Sequence, residues 1–135
     1  MNLNNLIINR TSDSDLLNLG AKMGIHNLVV CAKSKVKSYL NNPKVSNIIF
    51  NMSNDDFGGS HWVAIFKPKK MYFDSYMQSL PSVVPSNYKI SSTYKQLQSM
   101  EAQDCGSLCL LWLYYVNFKS NDEYLKLFLD VYPGV

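Results

Sequence analysis

An uncharged, largely apolar stretch from Ser107 to Phe118 places the strongest constraint on how this chain can fold. A helix that is apolar on every side has no face for solvent and is buried inside a globular protein. The stretch is too short to cross a bilayer, which needs about 20 residues. It therefore predicts a buried helix with the rest of the chain packed around it. Cys105 and Gly106 stand directly before this helix.

The remaining segments predict one more helix near the start and several strands. Thr11 to Asp15 supply helix caps before an amphipathic run that ends near Gly24. Runs rich in β-branched and aromatic residues, bounded by turn residues, predict strands. These strands are 26–31, 45–52, 61–66, 71–76 and 89–97, with a short helical segment at 34–40 and a last helix at 121–129. This order indicates an α+β fold in a single domain spanning residues 1–135.

The composition is that of one packed globular domain, because 47% of the 135 residues are hydrophobic and 13% are aromatic. The net charge of +3, carried by scattered lysines, permits contact with nucleic acid without requiring it. Three cysteines and no secretory signal or membrane-length apolar run predict a soluble protein from a reducing compartment, with no membrane partner. Two histidines and no paired-cysteine motif argue against a metal site.

Two consecutive strands predict a hairpin whose register decides the position of two polar residues. The turn is expected around Pro68, which cannot donate to a sheet ladder. Centred directly after Pro68, the turn places Asp74 opposite Val63. His61 and Asp74 then share a face as diagonal neighbours, about 7–8 Å apart at the backbone. A turn one residue longer or shorter would move Asp74 to the other face.

This pair and Cys105 together have the chemistry of a thiol hydrolase. A helix N-terminus favours the thiolate form of a cysteine at its start, and Gly106 leaves room for another backbone to approach closely. His61 is then the candidate base, and Asp74 orients its ring and stabilises the imidazolium. Gln98, seven residues before the cysteine, is the candidate oxyanion donor together with the cysteine's own backbone N–H.

Each assignment has a structural alternative. A cysteine outside a disulfide is most often a small core residue, and we expect that role for Cys109. Asp104 competes with Asp74 as the acid and also fits a helix cap. Two neighbouring glutamines compete with Gln98 as the oxyanion donor. Trp62, beside the candidate base, fits either the core or the wall of a substrate groove.

Three short motifs carry a resemblance to a known family. They are Gly59-Ser-His-Trp-Val, Tyr72-Phe-Asp-Ser and Gln98-x6-Cys105-Gly106-x2-Cys109. In this order and spacing they resemble the adenovirus maturation protease (adenain) family, which shares its fold with the ubiquitin-like-protein proteases. Similar proteases occur in virophages and other DNA viruses or elements. The resemblance covers roughly residues 45–118, with weaker similarity over 15–40.

The resemblance implies a papain-like fold with a central, mostly antiparallel sheet and the nucleophile at the start of a buried helix. It implies a cysteine endopeptidase that cleaves capsid and core precursors during virion maturation, near small residues such as Gly-Gly or Gly-X. The matching residues are the nucleophile Cys105, the base His61, the acid Asp74, the oxyanion donor Gln98 and, for substrate binding, Trp62 and Gly106. Such an enzyme acts in the virion and in the host nucleus or a cytoplasmic virus factory.

The chain also departs from the family. It is shorter than typical members, and its acid is an aspartate where adenoviral enzymes often carry glutamate. Adenoviral enzymes use a peptide cofactor that is disulfide-linked to a cysteine between the acid and the nucleophile, but no cysteine lies between Asp74 and Cys105. We therefore expect no cofactor, although the resemblance leaves a peptide or DNA activator open. The expected partners are viral precursor polypeptides, with DNA as a weaker candidate, and the expected state is a monomer.

Three other functions remain open. The first is an isopeptidase that removes ubiquitin-like modifiers, which uses the same chemistry on a different substrate. The second is a non-catalytic module in which the protease scaffold only binds a capsid partner. The third is a nucleic-acid-binding protein, whose affinity would weaken steeply with salt if it made several phosphate contacts.

Overall fold

Among the residues that the structure describes, five strands form one sheet in the order of the chain, and three helices pack against it. The computed structural model describes residues 13–52, 61–74, 79–91 and 105–118. The helices are α1 (Asp13–Lys22), α2 (Val36–Leu40) and α3 (Cys105–Phe118). The strands are β1 (Leu28–Ala32), β2 (Asn47–Asn51), β3 (Trp62–Phe66), β4 (Met71–Phe73) and β5 (Lys89–Ile90). The predicted α+β class is confirmed.

The sheet is mixed, so the expectation of a mostly antiparallel sheet was wrong. Strand β3 runs antiparallel to β2 and β4, whereas β1 pairs with β2 and β5 pairs with β4 in parallel. Parallel neighbours need a crossover connection instead of a tight turn. The crossover between β1 and β2 contains a 3-10 turn at Lys33–Lys35 and then α2. Hydrophobic alternation looks the same in both pairing directions, which is why the strand pattern did not reveal this.

The first helix ends where the glycine signal predicted. Gly24 has a φ of +77°, in the left-handed region that glycine adopts at little steric cost. Its N–H donates to the Ala21 carbonyl at 3.1 Å, and the N–H of Ile25 donates to the Gly20 carbonyl at 3.0 Å. These two bonds form a Schellman motif, which satisfies carbonyls that the end of a helix leaves without partners. The helix predicted at 121–129 lies outside the described residues.

The two faces of the sheet bury two separate apolar clusters. The helix face, covered by α1 and α3, presents Ile49, Trp62, Ala64, Phe66 and Phe73. The opposite face, covered by α2 and the segment 79–88, presents Ile48, Phe50, Val63, Ile65 and Tyr72. Residues Leu108 to Leu113 of α3 are each at most 2% exposed. The prediction of a buried helix in this part of the chain is therefore confirmed.

The turn between β3 and β4 has the predicted length. It is a 3-10 turn at Lys67–Lys69, closed by Lys70 in the left-handed conformation with a φ of +52°. The paired residues are Ala64 with Phe73, Ile65 with Tyr72, and Phe66 with Met71. This is the register predicted from the proline. If the same register continues for one more pair beyond Ala64 and Phe73, Asp74 lies opposite Val63.

Lys67 ties this turn to α2. Its ammonium group donates to the backbone carbonyls of Tyr39 at 3.2 Å and Asn42 at 2.7 Å. Both carbonyls also accept a backbone hydrogen bond, from the N–H groups of Asn42 and Val45, so Lys67 adds a second bond to each. Its charge also opposes the negative end of the helix dipole. The turn that sets the register of the hairpin is thus held by a contact outside the hairpin.

Candidate active site

His61 and Asp74 lie together at the open end of the β3–β4 hairpin. His61 immediately precedes β3, and Asp74 immediately follows β4. The backbone carbonyl of His61 also accepts a hydrogen bond from the N–H of Met52 at 2.9 Å, which continues the β2–β3 ladder by one residue. Three adjacent strands therefore determine where the backbones of these two residues lie.

The two side chains make a short hydrogen bond in a buried site. Nε2 of His61 lies 2.6 Å from Oδ1 of Asp74, and the side chains are 8% and 0% exposed. Buried charged groups are stable only when they are paired and hydrogen-bonded. A hydrogen bond between an imidazole and a carboxylate is charge-assisted, which makes it shorter and stronger than a neutral one. The structure thus brings together the predicted base and the predicted acid.

The contact determines which ring nitrogen can do acid–base chemistry. A carboxylate only accepts hydrogen bonds, so Nε2 of His61 carries a hydrogen, and this N–H donates a hydrogen bond to Oδ1 of Asp74. In the neutral ring the acceptor is then Nδ1. A proton taken up by the ring is bound at Nδ1, and the carboxylate at Nε2 stabilises the resulting imidazolium.

Tyr72 is a second polar group near this pair, and it was not among the predicted site residues. Burial raises the pKa of its phenol, and the negative charge of Asp74 raises it further. The side chain is 0% exposed, and its hydroxyl has no hydrogen-bond partner among the described residues. Tyr72 therefore stays protonated and is not a proton acceptor. Its position two residues before Asp74, on the same strand face, was the available sequence signal.

Cys105 opens α3, as the sequence predicted, and α3 packs on the helix face of the sheet chiefly against β3. Gly106, next to it, is buried. The side chain of Cys105 lies outside the described part of the structure, as do Gln98 and Asp104. The meeting of this thiol with the imidazole of His61, and the roles of Gln98 and Asp104, therefore stay predictions.

The other cysteines and Trp62 lie in the core. Cys109 is 0% exposed and Cys31 is 7% exposed. Burial, with a smaller contribution from the charge of Asp13, raises the pKa of the Cys31 thiol to about 11. Trp62 is 5% exposed and belongs to the cluster on the helix face. This matches the core alternative for Trp62, and its contact with substrate stays a prediction.

The described residues contain no group of three or more His, Cys, Asp or Glu side chains that could hold a metal ion. Within the same ranges, no helix is long and apolar enough to cross a membrane. Comparison of the chain with known protein families, curated proteins and solved structures found no match. The function of the chain is therefore inferred from the geometry of the site and from the sequence motifs.

Proposed function

We propose that this protein is a cysteine endopeptidase of papain-like fold, with Cys105, His61, Asp74 and Gln98 as its catalytic residues. The observation that carries the proposal is the buried hydrogen bond between His61 and Asp74. A histidine oriented by a carboxylate is the general base that activates a serine or cysteine nucleophile in hydrolases. A cysteine opens α3, which packs on the helix face of the same sheet, and it is the candidate nucleophile. His61 and Asp74 share the opposite face with Tyr72, so the proposed meeting of the thiol with the imidazole is at the end of the strands.

In the proposed reaction, the thiol of Cys105 transfers its proton to Nδ1 of His61, and the thiolate attacks the scissile carbonyl carbon. The Gln98 amide and the backbone N–H of Cys105 stabilise the oxyanion. The C–N bond breaks as His61 returns the proton to the departing amine, which leaves a thioester on Cys105. Water then attacks the thioester with His61 as the base, the acid product leaves, and the thiol regains its proton.

Asp74 has an electrostatic role in this scheme. Burial disfavours the charged form of a histidine, because the imidazolium loses its hydration. The carboxylate of Asp74, fully buried and 2.6 Å from the ring, offsets that loss. It therefore favours the imidazolium that forms when Cys105 is ionised, and it keeps the ring turned so that Nδ1 faces away from the carboxylate.

The proposed substrates are viral capsid and core precursors, cut next to glycine. The support is the order and spacing of the three sequence motifs. Gly106 adds a residue without a side chain immediately after the nucleophile, where an extended substrate backbone has to approach. The proposed places of action, the virion and the host nucleus or virus factory, follow from the same motifs.

The deciding experiment compares Cys105→Ser with Cys109→Ala on a peptide containing a Gly-Gly bond, with cleavage followed by mass spectrometry. We expect no cleavage by Cys105→Ser, because a hydroxyl is far less acidic than a thiol, and near wild-type cleavage by Cys109→Ala. Full activity of Cys105→Ser would exclude a thiol protease. Cleavage confined to an isopeptide-linked ubiquitin-like modifier would assign the same site to an isopeptidase.

A further inference from the structure

Trp112, in the middle of α3, is the largest fully buried side chain among the described residues. Its indole N–H can only donate a hydrogen bond, and a buried indole needs an acceptor. The acceptor is Oγ of Ser91 at 2.9 Å. Twenty-one positions separate the two residues in sequence, so this bond is a tertiary contact between α3 and the end of β5.

The same indole also packs on the strand that leads to the acid. The rings of Trp112 and Phe73 stack with their centroids 5.3 Å apart and their planes at 14°. Phe73 is the last residue of β4 and directly precedes Asp74. The backbone N–H of Ser91 donates to the carbonyl of Tyr72 at 2.7 Å. Trp112 is therefore joined to the end of β4 twice, once through a ring stack and once through Ser91.

The position of Trp112 along α3 relates these contacts to the candidate nucleophile. Trp112 follows Cys105 by seven residues, which is about two helical turns or 10 Å along the axis. Seven residues turn through about 700°, so both positions lie on nearly the same side of the helix. A rotation of α3 about the indole would displace its first residue. A displacement of about 1 Å between reacting groups can cost about 100-fold in rate.

We propose that Trp112, together with Ser91 and Phe73, is a positioning unit. It holds α3 against the end of β4 and thereby sets Cys105 relative to Asp74 and the imidazole bonded to it. The inference rests on the proposed function, because it takes Cys105 as the nucleophile. None of the three residues contacts the reacting atoms in the proposed scheme, so they act only through the placement of α3.

The test uses Ser91→Ala, which removes the acceptor, and Ser91→Thr, which keeps it. Ser38→Ala is the matched control, because the Ser38 hydroxyl also makes a hydrogen bond, at 2.8 Å to the Lys35 carbonyl, on the exposed side of α2. The measurements are kcat and KM on the best glycine peptide, the melting temperature, and the iodoacetamide labelling rate of Cys105 against pH.

We expect Ser91→Ala to lower kcat about 10-fold or more, with KM changed less than about twofold, because the substrate site stays while the nucleophile moves. The labelling profile of Cys105 should shift to higher pH, since a thiol further from the imidazolium ionises less readily. Ser91→Thr should restore kcat and the profile, and Ser38→Ala should match the wild type. Trp112→Phe, which keeps a ring and loses the N–H, should resemble Ser91→Ala.

If the wild-type protein cleaves peptides and Ser91→Ala keeps the same kcat and labelling profile, the inference is wrong and the proposed function is unaffected. The inference is also wrong if kcat falls only in proportion to the amount of folded protein and the labelling profile stays unchanged. A wild-type protein that cleaves no peptide and whose Cys105 labels like an ordinary thiol would overturn the proposed function, and the inference with it.

Discussion

Nε2 of His61 lies 2.6 Å from Oδ1 of Asp74, although thirteen positions and a complete hairpin separate the two residues in sequence. The contact forms because the turn around Pro68 has the one length that brings Asp74 opposite Val63. Strand side chains alternate between faces, so a change of one residue in the register would send the carboxylate to the other face. The candidate site is therefore a direct consequence of hairpin geometry.

One glycine inserted after Pro68 should separate the pair. We expect the shifted register to abolish peptide cleavage, while circular dichroism still shows a folded protein with a lower melting temperature. The control is Lys70→Gly, which keeps the turn length and removes the steric cost of a non-glycine residue in the left-handed conformation. We expect it to add about 0.5–1 kcal/mol of stability and to leave activity unchanged. Normal cleavage by the insertion variant would show that the turn does not set the register.

Asp74→Asn should keep the fold and impair catalysis. An asparagine amide can still bond the ring, but it carries no charge to stabilise the imidazolium and can hold the wrong tautomer, so we expect kcat to fall about 100- to 10,000-fold. Asp13→Asn, on the exposed first turn of α1, is the control and should leave kcat unchanged. If Asp74→Asn is active and Asp104→Asn is dead, the acid is Asp104.

The hairpin could be predicted from the sequence because its information is local. Pro68 has no backbone N–H to donate to a sheet ladder, which places the turn around it, and the alternating pattern determines which face each side chain lies on. The contact between His61 and Asp74 follows from these two facts. The pairing direction of β1 and β5 could not be predicted, because it depends on how the chain crosses the sheet. Strand composition carries no signal for that path.

The contact of Trp112 with Ser91 was also beyond the sequence pattern. An apolar helix predicts that its tryptophan is buried, and a buried indole needs an acceptor, but twenty-one positions separate donor and acceptor. Which polar residue meets the indole depends on how α3 lies across the sheet. Tyr72 differs, because the alternation that placed Asp74 also placed this phenol on the same face.

Iodoacetamide at neutral pH should label Cys105 in preference to the other two cysteines. The thiolate is the reactive form, and burial holds the pKa of Cys31 at about 11, while Cys109 is fully buried. Peptide mapping after brief labelling gives the distribution, and labelling in denaturant is the control, in which all three should react. Equal labelling of Cys31 and Cys105 in the native protein would contradict an activated Cys105.

A conservative substitution is needed to test the proposed role of Trp62 in substrate specificity. Trp62 is 5% exposed, so Trp62→Ala should cost about 3–5 kcal/mol and would mainly test folding. Trp62→Phe keeps most of the volume, and we expect it to relax the preference for glycine beside the cut more than it lowers the best rate. Phe66→Leu, on the same strand and face, is the control for core packing. An unchanged peptide-library profile in Trp62→Phe would make Trp62 a core residue only.

The raised pKa of Cys31 should make the protein less stable in alkali. Burial raises this pKa from 9.0 to about 11 in the folded protein, so the folded state holds the thiol proton more tightly than the unfolded chain does. The stability from this group is fully present below pH 9 and is lost as pH rises through 11, by about 2 kcal/mol according to linkage. Urea unfolding under reducing conditions at pH 8, 9.5 and 10.5 measures this loss.

Cys31→Ala should show a shallower loss of unfolding free energy between pH 9 and 11 than the wild type, because it has no thiol to ionise. Val29→Ala, on the same strand and packed in the same cluster, removes apolar volume without a titrating group, so its pH dependence should be parallel to that of the wild type. Tyr72 and Tyr88, whose pKa values burial also raises, are present in all three proteins and add the same alkaline slope to each. Parallel curves for Cys31→Ala and the wild type would show that the Cys31 thiol ionises as readily in the folded protein as in the unfolded chain.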